Sequence, residues 1–129
     1  MCTPRLAIVT GPAATTWRWE LAQLELGARI AWPTPGSRVW AACAARLGMQ
    51  LRASAAPVAL AFDGYAVVGA VWPRRDVPAL PRGPYVMPQF RGGPLERRLL
   101  AAWLRENDRP EFIEVVPVEL VPTPRRAVR

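Results

Sequence analysis

Two apolar runs, VALAF at 58–62 and YAVVGAVW at 65–72, stand on either side of Asp63-Gly64. That dipeptide predicts a tight type I′ hairpin turn, because both central residues of such a turn need positive φ. The segments around the hairpin have a different period. From Thr16 onward Trp17, Leu21, Leu24 and Ala28 recur at spacings of four, three and four, while Arg18, Glu20, Glu25 and Arg29 fall elsewhere. This predicts an amphipathic helix capped by Thr15 or Thr16 and broken by PTPG at 33–36. Ser37 then caps a second helix with a stripe of Trp40, Cys43, Ala44 and Leu47, stopped by Gly48.

Upstream, RLAIV at 5–9 reads as a first strand ended by the turn signal Gly11-Pro12. Downstream, Pro73, Pro78, Pro81 and Pro84 make 73–84 an irregular loop, after which PYVMP is a strand. A helix from about Leu95 to Arg105 buries Leu95, Leu99, Leu100, Trp103 and Leu104, and EFIEVVPVEL at 111–120 reads as a last strand with Phe112, Val115 and Leu120 inside. The order β-α-α-β-β-β-α-β predicts an α/β (α+β) fold with a mixed central sheet flanked by helices. Residues 1–129 form a single domain with a short basic tail at about 122–129, where PRRAVR is solvated.

Whole classes of chemistry are excluded by what is missing. The chain has no His, so a His-dependent triad, a His-bearing zinc site and an imidazole base are ruled out. Cys2 and Cys43 are too far apart in sequence for a thiolate metal cage, so no metal is expected. Both read as reduced thiols, Cys43 as a small core residue. The net charge of +7 comes from 17 Arg with no Lys, and favours anionic partners. Nucleic-acid binding lacks a supporting fold motif. No apolar run is long enough to span a bilayer and the first ten residues lack the build of a signal peptide, so the expectation is a soluble, unprocessed, cytoplasmic protein.

The stretch YVMPQFRGGPLERRLL at 85–100 breaks an apolar strand with Pro88, sets two glycines after Arg91 and starts a helix at once. A strand that feeds a helix in this way aims the first unpaired amides and the positive end of the helix dipole outward. Glycines let a phosphate approach those amides, and Arg91 adds a planar donor. Residues 91–97 are thus a candidate pyrophosphate cradle; as a purely structural feature, Gly92-Gly93 is a tight turn and Arg91 a surface residue.

The longer run GPYVMPQFRGGPLERRLLAAWLREN resembles the signature segment of the GNAT superfamily of acyl-CoA N-acyltransferases: a strand ending in Val-x-Pro, then Arg-x-x-Gly-x-Gly or Ala, then a helix opening with a Leu pair. VALAFDGYAVVGAVW is similar to that family's hairpin. With the two upstream helices, the resemblance covers most of residues 15–120 in the family's order. It implies acetyl-CoA as cofactor, an amine as acceptor, and direct attack of the amine on the thioester. Carried over, the main chain of Val86 and Met87 would pair with the pantetheine arm. Arg91, Gly92, Gly93 and the amides of Leu95 to Arg97 would face the pyrophosphate.

The sequence departs from the family where Pro94 and Glu96 stand at the two Gly or Ala positions. Pro94 has no N–H to give, and Glu96 repels a pyrophosphate by about 1 kcal/mol while suiting a capping role. Family members also continue past the last strand with a helix and two more strands, and that helix often carries a tyrosine that protonates the thiolate. Here nine residues follow Leu120, so the resemblance implies a shortened C-terminal arm. Tyr65 and Tyr85 read as packing residues inside strands. Asp76, Glu114 and Glu119 read as solvated charges, so no catalytic acid or base is assigned. Two expectations result. One is an acetyl-CoA-dependent N-acetyltransferase. The other is a non-catalytic GNAT-like module that binds other protein subunits of an assembly, copies of itself included, for example as a component of a bacteriophage virion; the departures and the six Trp favour it.

Overall fold

The structure, a computed structural model, describes residues 3–107. The expectations for Cys2, for the last strand at 111–120 with Phe112, Glu114, Val115, Glu119 and Leu120, and for the tail at 122–129 lie outside the described residues. Within them the chain is α+β. Strand β1 (Arg5–Thr10) leads through a helical turn α1 (Gly11–Ala14) and a 3-10 turn (Thr15–Trp17) into α2 (Arg18–Arg29) and α3 (Arg38–Arg52). Strands β2 (Pro57–Asp63), β3 (Ala66–Pro73) and β4 (Pro81–Val86) follow, then a 3-10 turn (Pro88–Phe90) and α4 (Pro94–Asn107). The four strands form one antiparallel sheet in the order β1-β2-β3-β4.

Both faces of the sheet are covered, which is why β2 and β3 read as continuous apolar runs rather than as alternating ones. Val58, Leu60, Ala70 and Trp72 pack with Leu21, Leu24, Leu47 and Leu51 of α2 and α3. Ala59, Ala61, Val68 and Val71 pack on the other face with Leu95, Leu99, Leu100 and Trp103 of α4. The register of β2 against β3 shifts by one residue between Ala61 and Phe62, a bulge on β3. The shift lets Val67 and Ala70, of opposite parity, face the same side. Gly69 lies at this bulge because α4 presses there: a Cβ at that position would stand 2.8 Å from Leu99 Cδ1.

Several sequence-based boundaries are corrected. The hairpin loop is Gly64-Tyr65, since Asp63 pairs with Ala66. Gly64 takes φ +66 at the first loop position, where both hairpin turn types require positive φ. Tyr65 is therefore fully exposed in the turn, not a packing residue inside a strand. Helix formation starts at Gly11, with the Thr10 side chain accepting from the Ala13 amide at 3.4 Å; Thr15 instead donates its hydroxyl to the Pro12 carbonyl at 2.7 Å. Ser37 does cap α3, accepting from the Trp40 amide at 3.3 Å. Gly48 does not stop that helix but lies buried within it, under the Arg18 side chain. The region expected to be loop as far as Pro84 includes most of β4. Among the described residues β4 is an end strand, which tolerates Pro81 and Pro84 because its outer N–H groups have no ladder to complete there.

Candidate functional site

The residues singled out in the sequence gather where β4 hands over to α4. Met87 continues the pairing with β3, its amide donating to the Val68 carbonyl at 2.9 Å. In an antiparallel ladder neighbouring residues bond alternately, so the N–H and C=O of Val86 turn away from β3, along the outer edge of β4. Among the described residues β4 ends the sheet, and that edge has no partner strand. Val86 thus presents main-chain groups outward, whereas the Met87 amide is engaged within the sheet.

Beyond Met87 the amides fold back on the protein. Phe90 N donates to the Met87 carbonyl at 2.9 Å, Arg91 N to the Pro88 carbonyl at 3.2 Å and Gly93 N to the Phe90 carbonyl at 3.3 Å. Gly92 has φ +78, and its amide donates to Glu96 Oε1 at 2.9 Å. Glu96 is therefore a capping residue reaching back from the third position of α4, a capping box displaced by one residue. The Arg91 side chain is exposed and its guanidinium lies against α2, donating to the Gly27 carbonyl at 3.2 Å. A helix that begins at Pro94 engages the Arg97 amide with the Gly93 carbonyl. The outward amides that remain are those of Leu95 and Glu96. The Leu95 side chain is buried against the sheet and Arg97 is exposed.

At the opposite end of β4 lies a polar cluster that sequence reasoning missed. Glu25, 1% exposed, was expected on the solvent side of α2. Its Oε2 accepts from Arg82 of β4 at 2.6 Å and from Arg29 at 2.9 Å, with Arg46 of α3 at 3.8 Å; Oε1 has no hydrogen-bond partner among the described residues. The carboxylate in turn raises the pKa of Arg82. Burial, and secondarily the Glu25 charge, push the Cys43 thiol up, so it is a buried core thiol and not a poised nucleophile. Tyr85 packs on Trp72 with ring centroids 5.4 Å apart, and burial pushes its phenol up as well. Asp76 is exposed, bonded through both oxygens to Arg74, whose guanidinium holds its carboxyl below the usual range. The one sequence signal for Glu25 is its position between Leu24 and Leu26 and four residues after Leu21, at the margin of the apolar stripe.

Among the described residues no group of three or more His, Cys, Asp or Glu side chains could hold a metal ion, and no helix is long and apolar enough to cross a membrane. The chain matches no family model, no curated protein and no solved structure.

Proposed function

We propose that the chain is a GNAT-like domain whose acyl-CoA loop is closed by its own carboxylate, and that it works as a non-catalytic binding or structural module in a protein assembly, such as a bacteriophage particle. The observation that carries this reading is the 2.9 Å hydrogen bond from the Gly92 amide to Glu96. A pyrophosphate there would have to displace a carboxylate and then sit beside it, and Pro94 offers no N–H in compensation. The residues present do not fit that group. The order of elements β1, α2, α3, β2, β3, β4, α4 supports the GNAT-like part of the reading, while the sheet among the described residues is antiparallel rather than the mixed one expected. A binding role is supported by large apolar side chains left in solvent, among them Ile30 at 79% exposure and Met49 at 71%, with Trp19 and Trp32 each partly exposed.

A second reading, an acetyl-CoA-dependent N-acetyltransferase, is favoured by the outward main chain of Val86. Thermal unfolding with acetyl-CoA separates the two. Ligand at about tenfold above its Kd stabilises a binding protein by about 1.4 kcal/mol. The closed loop predicts an unchanged Tm for the wild type at millimolar acetyl-CoA, and a rise once Pro94→Gly and Glu96→Gly are combined. A shift in the wild type, with CoA released in the presence of an amine, would establish the enzyme instead.

A further inference from the structure

The concave surface at the far end of β4 has its own chemistry. Helix α3 and the 74–80 connection enclose two adjoining cavities of about 440 and 610 Å³. Arg46, Gln50, Arg74 and Arg75 line both. Glu25, Asp76 and Arg82 complete the smaller one, while Met49, Ala53, Pro73 and Pro78 give the larger one apolar walls. A charged compartment therefore opens directly onto an apolar one. The walls are held in place: Gln50 Nε2 donates to the Pro73 carbonyl at 3.0 Å, tying α3 to the end of β3.

Guanidiniums outnumber carboxylates here beyond what folding needs. One well-placed arginine compensates a buried carboxylate, yet Glu25 gathers Arg82, Arg29 and, at 3.8 Å, Arg46. Arg74 is satisfied by Asp76. Arg75 is exposed and has no ion-pair partner among the described residues, and Arg46 is held only loosely, its Nη2 also lying 3.4 Å from Cys43 Sγ. Planar donors in excess, on the wall of a groove beside apolar surface, match an oxyanion attached to something apolar. The cavity sizes are those of small-molecule sites, and the net charge of +7 draws anions in.

We infer that this groove binds a small amphipathic anion, a phosphate or carboxylate head on an apolar body, with Arg46 and Arg75 holding the head and Met49, Pro73 and Pro78 covering the body. The site lies at the other end of β4 from the Gly92 turn and is independent of whether that turn admits CoA.

Calorimetric titration of the full chain tests this with phenyl phosphate, benzoate and inorganic phosphate. The expected result is that one aromatic anion binds at least about tenfold tighter than inorganic phosphate, and which one identifies the head group. Arg75→Ala and Arg46→Ala should each weaken it about tenfold. Met49→Glu should abolish the preference over inorganic phosphate, and Arg38→Ala, at the start of α3 outside the groove, should change nothing. Because Arg75 is exposed, its variant reports on binding even if Arg46→Ala unfolds. The inference is overturned if neither aromatic anion binds more tightly than inorganic phosphate, or if Arg38→Ala costs as much as Arg75→Ala, which is the behaviour of diffuse surface charge.

Discussion

At its two ends, strand β4 treats positive charge in opposite ways. After Met87 the donors are taken up by the protein's own atoms: Arg91 bonds a carbonyl of α2, and the amides from Phe90 to Gly93 bond atoms within four residues of themselves. At the Pro81 end the guanidiniums of Arg46, Arg74, Arg75 and Arg82, from three segments of the chain, line one cavity that has two carboxylates to share. The first end looks like an anion site in the sequence and is closed in the fold. The second has no motif and is open. A run of suitable residue types fixes where donors are, but whether they are available depends on which neighbour reaches them first.

This contrast can be broken experimentally. The largest effect belongs to Glu25→Ala, which leaves Arg82 and Arg29 without their shared partner in a half-buried setting. It should cost about 3 kcal/mol in urea denaturation. A loss below about 1 kcal/mol would mean that the cluster behaves as a surface pair. At the other end Glu96→Ala removes a single cap, with an expected loss of about 1 kcal/mol. If it cost as much as Glu25→Ala, the turn would be a structural keystone rather than a local closure.

A smaller effect appears in alkaline solution. The folded-state pKa of Cys43 is raised from 9.0 and that of Tyr85 from 10.0, so the native state holds both protons more tightly than the unfolded chain. The stability linked to them is complete below about pH 9 and falls as pH rises through the shifted values. Cys43→Ala should remove the part of the decline that begins near pH 9 and leave the part that begins near pH 10. An unchanged profile would contradict the placement of Cys43. The smallest effect is expected for Asp76→Asn, whose exposed pair with Arg74 should leave Tm unaltered.

The sequence made the hairpin, the α3 core stripe and the apolar face of α4 legible, because each is encoded by residues within a few positions of one another; in α2 Leu21 and Leu24 are buried as expected, but Ala28 is exposed and Leu26 is buried in its place. Register was less so. Asp63-Gly64 marks the turn, yet Asp63 closes β2 and the loop is Gly64-Tyr65; further along, a one-residue bulge near Gly69 resets the pairing again, and no local pattern announces it. The start of β4 was hidden by Pro81 and Pro84, which local rules assign to a loop and which an end strand accommodates. The capping role of Glu96 was legible because its partner lies four residues away. The Glu25 cluster was not: Arg82 is 57 residues distant, and their meeting depends on α2 crossing β4 in the folded chain.

The most direct test of the closed loop follows the Gly92 amide by NMR while acetyl-CoA is added to the wild-type protein. Its resonance should stay in place up to millimolar ligand, because Glu96 already holds that proton. A saturable shift of Gly92, together with Leu95 and Glu96, would show that the nucleotide enters the turn and would contradict the account.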